Sequence, residues 1–390
     1  MTTSVSEKAT SARDPLGLEL ERSGSHAGRA SRAIPWHVRL GLSWSSGAPP
    51  VVLLLLIGMA LGPQALAILS PAVLSAIDPA LPVALAALGV QVALELPLRR
   101  SALDPRLASS ACVEALVTGV TVTGGSLLVL APNVAVPGAD AWLIAVAAGI
   151  CAAMSAGLPS DTAGVTAAAA GVRQLDVVLP AFAGAIMLAF VREQAIGHAL
   201  WLSAQAVLLA LVIGVSAWLL LGRTSSDTEQ RIFGASALLL LGGLADYLSL
   251  SALLSGVVAG TFWRLMGGQA ADAIRRDSGH VQHPLLVLLL VVAGARTQVS
   301  PAILGLIVAY PILRTVGKLA GAWLARRVTK PMLPDDLGFA LVAPGVFGIA
   351  FGVNVIRAAG PASDPLLAVI VIGSIVSQLI PFRRPQGPGL

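Results

Sequence analysis

From about residue 48 to residue 382 the chain alternates long apolar runs with short charged or Pro/Gly-containing breaks. A helix that crosses the hydrocarbon core of a bilayer needs about 20 predominantly apolar residues. The runs are continuous and do not alternate with period two, so they predict membrane helices and not the strands of a barrel. We expect about twelve spans, near residues 48–69, 81–97, 108–130, 141–171, 175–191, 199–221, 232–248, 251–263, 284–295, 302–325, 337–356 and 365–380.

Composition agrees with this all-α, polytopic membrane class. Apolar residues make up 56% of the 390 residues and charged residues 12%, and the mean hydropathy is +0.84. A soluble domain carries about 25% charged residues, so most of this chain must face lipid or other helices. Residues 1–40 are polar and lack the apolar core of a signal peptide, which predicts a disordered cytoplasmic tail before a transmembrane domain over 48–382.

The distribution of basic residues predicts the orientation. If the N-terminus is cytoplasmic, 20 of the 25 Lys and Arg residues lie in the tail or in cytoplasmic segments, against three outside, namely Arg192, Arg296 and Arg357. This asymmetry follows the positive-inside rule. We therefore expect a multi-pass protein of the cell (inner) membrane with both termini in the cytoplasm.

A first interrupted helix is expected at Pro159-Ser160-Asp161-Thr162, midway along the run 141–171. That run is too long for one straight span, and Pro159 removes a backbone donor. Non-helical backbone at membrane depth is tolerated only where it lines protein or water. A charge at this depth is costly, so Asp161 needs a partner or a function.

A second interruption is predicted at Pro344-Gly345, 185 residues after Pro159. The two interruptions lie in corresponding units, 108–191 and 302–380, which enter the membrane from opposite sides. A matched pair of Pro/Gly-interrupted spans indicates an inverted-repeat transporter with its site near the midplane. The alternative is two unrelated proline kinks in a glycine-rich bundle.

Lys318 provides a positive charge opposite Asp161. Arg314 and Lys318 are four residues apart and so share a helix face, beside a small-residue strip formed by Gly317 and Gly321. Lys318 could neutralise a vacant cation site, or serve as a static counter-ion or snorkel to the interface.

Glu114 lies about two turns into the third predicted span. We expect it to pair with an arginine or to line an entry funnel, and do not place it at the site.

Six stretches, taken in order, resemble the motifs of the cation/proton antiporter superfamily, of the sodium/proton exchanger and glutathione-gated potassium efflux type. They include a GxxLGP stretch, an unwound crossover motif and an R-x-x-G-K sequence on the helix that bears an essential cation. The stretches are Gly58–Pro63, Gly89–Leu96, Ser160–Ala163, Leu250–Gly260, Pro284–Arg296 and Arg314–Lys318.

The resemblance implies a core of spans 3–5 and 10–12, a panel formed by the other spans, and a homodimer. It implies exchange of a monovalent cation, sodium or potassium, for protons. The expected transport residues are Ser160, Asp161, Thr162 and Lys318. The expected supporting residues are Arg314, Pro159, Pro344, Gly345 and Asp176.

The sequence departs from the family at the carboxylate that follows the crossover. Alignment from Arg173 puts that position near Phe182-Ala183, where no acid stands, and Asp176 is expected to lie too near the cytoplasmic helix end. With one carboxylate and one lysine, we expect electroneutral exchange.

Two other functions stay open: a carrier of a small organic anion on a similar scaffold, and a transport-inactive regulatory paralogue. We expect no enzyme, because the sequence carries no phosphate-binding glycine loop and no nucleophile elbow. We expect no cofactor and no metal site. We also expect no nucleic-acid partner, because aromatic residues are only 4% of the chain.

Overall fold

The computed structural model of the protein describes residues 51–96, 105–131, 141–155, 167–224, 226–329, 337–342 and 345–379. Within these ranges the regular secondary structure is helical throughout. The α-helices are α1 Val51–Leu61, α2 Pro71–Ile77, α3 Leu81–Glu95, α4 Pro105–Leu130, α5 Ala141–Ala153, α6 Ala167–Leu175, α7 Val178–Glu193, α8 Ile196–Arg223, α9 Asp227–Tyr247, α10 Ala252–Met266, α11 Gly268–Ala295, α12 Leu304–Thr329, α13 Leu337–Val342, α14 Val346–Ala359 and α15 Asp364–Leu379.

Several predicted features lie outside the described residues. They are the tail 1–40, the crossover residues Pro159, Ser160, Asp161 and Thr162, and Pro344. Gly345 is described, and it is the extended residue that precedes α14.

Five helical segments are long and apolar enough to cross a membrane: Pro71–Glu95, Pro105–Leu130, Ala169–Glu193, Ile196–Arg223 and Pro301–Val328. A sixth is formed if the two parts of α11, which are bent by 49° against each other, count as one span. Five further apolar helices are shorter, at 10–17 residues. The helices therefore confirm the all-α class and indicate a membrane-embedded protein, whereas the count of twelve spans stays a prediction.

Two helix boundaries differ from the predicted ones for a physical reason. The helix in the run near 48–69 is α1, which ends at Leu61, just before Gly62-Pro63, and the separate α2 begins only at Pro71. The span predicted near 284–295 is the second part of α11, which begins at Gly268. The first part of α11 contains charged residues such as Arg275 and Arg276, so a search for apolar runs does not predict it as part of a span. These residues are exposed, and a helix end in water tolerates them.

Glycines bring two pairs of helices into backbone contact. A Cβ added to Gly260 in α10 would lie 2.6 Å from the carbonyl oxygen of Val90 in α3. A Cβ added to Gly62, just after α1, would lie 2.6 Å from the carbonyl oxygen of Ala295 in α11. In a membrane, small residues permit such approach and so replace the hydrophobic effect as a source of helix association.

Glycines also bring α4 and α12 into backbone contact, at the predicted small-residue strip of Gly317 and Gly321. A Cβ on Gly317 would lie 3.1 Å from the Cα of Thr118, and one on Gly321 would lie 2.9 Å from the carbonyl oxygen of Glu114. The prediction that Gly317 and Gly321 allow a close neighbouring helix is confirmed. This contact brings the side chain of Glu114 within reach of the helix that carries Lys318.

We expect Gly321→Ala to destabilise the protein by about 1–3 kcal/mol, because the added methyl group overlaps backbone atoms of α4 that cannot move alone. Thermal unfolding of the purified protein in detergent measures the effect. Gly124→Ala is the matched control, because a Cβ added to this glycine of α4 would meet no described atom within 4 Å apart from those of its own helix turn. A Gly321→Ala variant as stable as the control would show that the close approach is not needed.

Candidate functional site

Three ionisable side chains meet inside the helix bundle. The Nζ atom of Lys318 lies 3.0 Å from Oε1 of Glu114 and 3.3 Å from Oδ2 of Asp176. All three side chains are fully buried, at 0% exposure. Lys318 is on α12, Glu114 is on α4, and Asp176 lies at the break between α6 and α7. We refer to these three residues as the buried charge cluster.

The buried charge cluster contacts the carboxyl end of α5. The Lys318 ammonium donates to the carbonyl oxygen of Ala153 at 2.7 Å, and Arg314 donates to that of Ala152 at 2.7 Å. Arg314 also donates to the carbonyl oxygens of Cys151 and Met154, each at 3.4 Å. The last carbonyls of a helix have no partner within the helix and carry a partial negative charge, so two cations compensate them well. The predicted common face of Arg314 and Lys318 is confirmed, and it is directed at this helix end.

Ser155 connects the residues around the cluster. Its backbone N–H donates to Oδ1 of Asp176 at 3.2 Å, and its carbonyl oxygen accepts a hydrogen bond from Nε of Arg173 at 2.8 Å. Its hydroxyl group donates to the carbonyl oxygen of Leu341 in α13 at 3.1 Å. The chain that leaves α5 is therefore held to both flanking elements, and Asp176 is oriented by a backbone donor.

The described edges of the two predicted interruptions lie side by side. Ser155 is the last described residue before the first interruption, and Leu341 lies three residues before Pro344 of the second. A Cβ on Gly348, in the first turn of α14, would lie 2.7 Å from the carbonyl oxygen of Cys151. The carboxyl end of α5 and the amino end of α14 thus approach each other next to the cluster.

Oxygen atoms dominate the immediate surroundings of the Lys318 ammonium. Both carboxylates and the Ala153 carbonyl contact it, and the Thr118 hydroxyl donates to Oε1 of Glu114 at 2.9 Å. The cluster itself has a formal charge of −1 when all three groups are ionised. Arg314 and Arg173 bring two further buried positive charges, both with a described contact to backbone carbonyl oxygen. Such oxygen-rich surroundings suit an ammonium group, a proton or a monovalent metal cation.

Asp176 is fully buried and contacts Lys318. Its expected position near the cytoplasmic helix end stays a prediction. Phe182 is 37% exposed and Ala183 lines an apolar cavity of about 440 Å³ between α4, α5 and α7. The break between α6 and α7, six residues before Phe182, directs the Asp176 carboxylate inward to Lys318.

Glu114 is the residue that sequence reasoning did not place at the site. It pairs with a lysine and not with an arginine, through the close contact of α4 and α12. Two features of the sequence indicate this pairing: an acid inside an apolar span, and a glycine strip beside Lys318. The pairing of Asp161 with Lys318 lies outside the described residues and stays a prediction, as do the roles of Ser160 and Thr162.

Comparison with known proteins does not identify the chain. No protein-family model matches it, and no curated protein matches it either. The resemblance to antiporters therefore still depends on the sequence motifs.

We expect Lys318→Met to destabilise the protein by about 3–5 kcal/mol, because two buried carboxylates lose their counter-ion. Adding Glu114→Gln and Asp176→Asn to Lys318→Met removes the uncompensated charges and should recover much of that loss. The midpoint of thermal unfolding in detergent measures both. If the triple variant is no more stable than Lys318→Met alone, the three charges are not energetically coupled.

Proposed function

We propose that the protein is a secondary transporter that exchanges a monovalent cation, sodium or potassium, for protons at the buried charge cluster. The observation that carries the proposal is the fully buried Lys318 ammonium between the carboxylates of Glu114 and Asp176. Burying three ionisable groups costs several kcal/mol per ion before pairing. Apolar side chains of similar volume would stabilise the fold at least as well, so the charges indicate a function beyond stability. Ionisable groups inside membrane helices mark ion pathways by default.

Competition for the same oxygen atoms provides the exchange step. A carboxylate accepts either a proton or a cation, and each excludes the other by charge. In the vacant state the Lys318 ammonium occupies the position between Glu114 and Asp176. An entering cation takes over carboxylate oxygens of Glu114 and Asp176, and the ammonium moves aside towards the α5 carbonyl oxygens. A proton on one of the carboxylates is released as the cation binds.

Alternating access would depend on the two predicted interruptions and the inverted repeat. The proposal is supported by the contact of α4 with α12, which belong to the two predicted repeat units, and by the bond between Ser155 and Leu341. In this proposal the helices around Ser155 move with Asp176, because the Ser155 N–H holds that carboxylate. Broken helices of this kind build the sites of many inverted-repeat transporters.

Contacts between distant segments support twelve spans with both termini inside. The pairs Asp78 with Arg296 and Asp246 with Arg357 join residues that this topology places outside. The contacts that it places inside are Arg264 with the Leu96 carbonyl, Arg275 with the Leu94 carbonyl, and Arg276 with Asp227. An error of one span between any two partners would put them on opposite sides of the membrane.

A carrier of a small organic anion is the second candidate. It is favoured by the number of buried cations near the cluster, since among the described residues Arg173, Arg314 and Lys318 face two acids there. The guanidinium groups of Arg173 and Arg314 contact backbone carbonyl oxygens, which makes them less suited to bind an anion.

The third candidate, a transport-inactive regulatory paralogue, would show no flux. The homodimer that the resemblance implies is part of the proposal of a cation/proton exchanger.

We expect Asp176→Asn to reduce sodium- or potassium-driven proton flux in proteoliposomes to the background of empty liposomes, because the amide cannot exchange a proton for a cation. A pH-sensitive dye inside the liposomes measures the flux. Glu95→Gln is the matched control, because Glu95 is an acid at the end of α3 that bonds Gln91 and lies outside the cluster. Wild-type flux in Asp176→Asn would exclude this site, and flux driven only by an organic anion gradient would favour the second candidate.

We expect the exchange to be electroneutral. Replacing one proton by one monovalent cation leaves the charge of the cluster unchanged, although it contains two carboxylates and not the single one that the sequence indicated. In liposomes clamped with potassium and valinomycin, sodium-driven pH change should have the same rate with and without an imposed voltage. A rate that increases with voltage would mean that a second group, the other carboxylate or Lys318, also releases a proton, so that two protons move for each cation.

A further inference from the structure

A second cavity lies between α9 and α11, and none of the residues of the buried charge cluster lines it. Its volume is about 450 Å³, which is large enough for a substantial part of a small ligand. Apolar side chains such as Leu238, Ile274 and Val281 line most of it. Arg231, Asp277 and Ser278 provide its polar part. The cavity is therefore amphipathic.

The polar part of the cavity has an unsatisfied acceptor. Oδ1 of Asp277 lies 3.4 Å from Nε of Arg276 and 3.8 Å from Nε of Arg231. Oδ2 of the same carboxylate is buried and has no hydrogen-bond partner among the described residues. The Asp277 side chain is only 12% exposed, so solvent does not readily satisfy this oxygen. A buried polar atom without a partner costs about 1–3 kcal/mol, which a bound N–H donor would recover.

Arg231 provides the complementary group. Its side chain is 64% exposed, and its only described ion pair is the 3.8 Å contact with Asp277. A guanidinium group has five N–H donors in a planar arrangement that suits phosphate oxygens. The N–H donors of Arg231, which suit a phosphate, and the acceptor Oδ2 of Asp277, which suits an ammonium group, thus lie side by side at the polar end of an apolar cavity.

The surroundings of the cavity identify a lipid as the source of these groups. Helix α9 exposes Leu239 and Leu240, with 57% and 51% of their surface accessible, as expected for a helix face that meets acyl chains. Basic pockets at the ends of membrane helices commonly bind lipid headgroups. The acyl chain of a lipid would lie along Leu238 and Val281, with its headgroup at Arg231 and Asp277.

We propose that this cavity binds a phospholipid whose headgroup carries both a phosphate and a primary ammonium group, such as phosphatidylethanolamine. The phosphate binds Arg231, and the ammonium donates a hydrogen bond to Oδ2 of Asp277. A choline headgroup has no N–H and leaves this oxygen without a partner. An anionic headgroup without an amine does the same. The inference does not rest on the proposed cation exchange.

The test uses the full-length protein, purified in detergent and depleted of lipid. Phosphatidylethanolamine, phosphatidylcholine and phosphatidylglycerol with identical acyl chains are added separately, and the midpoint of thermal unfolding is measured. We expect phosphatidylethanolamine to raise the midpoint most, and native mass spectrometry to show its preferential retention. Soluble phosphoethanolamine should have no comparable effect, because it lacks the acyl chain. Equal effects of the three lipids, or an equal effect of the soluble headgroup, would overturn the proposal.

Variants locate the effect at the cavity. Asp277→Ala should abolish the preference for phosphatidylethanolamine, whereas Asp227→Ala should keep it. Asp227 contacts the same Arg276, but its side chain is 75% exposed and it does not line the cavity. If Asp277→Ala does not fold, Ala235→Phe serves instead, because it leaves the charges in place and fills the cavity that Ala235 lines. An unchanged lipid preference in Ala235→Phe would contradict lipid binding here.

Discussion

The burial of the Lys318 ammonium is the constraint on which the rest of the structure depends. An ammonium group inside a membrane protein needs an opposite charge and oxygen acceptors in place of water, since an unpaired ion is prohibitively costly there. Glu114, Asp176 and the Ala153 carbonyl supply them from three different segments. Each of these segments must therefore be held at its position, and the glycine contacts, the end of α5 and the hydrogen bonds of Ser155 all contribute to this.

The contact between α4 and α12 connects helix packing with the chemistry of the site. Gly321 lets the backbone at Glu114 approach α12, so its carboxylate reaches Lys318 one turn away. On the opposite side, Arg314 and Lys318 compensate the carbonyl groups at the end of α5, so this helix can end inside the protein. The same oxygen atoms that stabilise the fold are those that a cation would use. The same interactions would then stabilise the fold and bind the transported cation. A change in cation occupancy would therefore directly alter the contacts of the helix ends.

The sequence predicted the helical membrane class, the common face of Arg314 and Lys318, and the small-residue strip beside them, because these follow from composition and from helical period. It did not predict which acids meet Lys318. The position of Asp176 depends on a break after Leu175, and an alignment by residue spacing cannot register such a break. Glu114 depends on which helix packs against α12, which is a property of the tertiary fold. The first part of α11 was not predicted because its charged residues exclude it from a search for apolar runs.

Proton release on cation binding tests the central claim most directly, because it reports the competition at the carboxylates without requiring transport. Sodium or potassium chloride is added to the purified protein in weakly buffered detergent solution, and a pH-sensitive dye follows the released protons. We expect the wild-type protein to release about one proton per bound cation, since cation and proton occupy the same carboxylate oxygens. The Glu114→Gln, Asp176→Asn double variant should release none. Cation binding without proton release from the wild-type protein, or equal release from the double variant, would contradict the account.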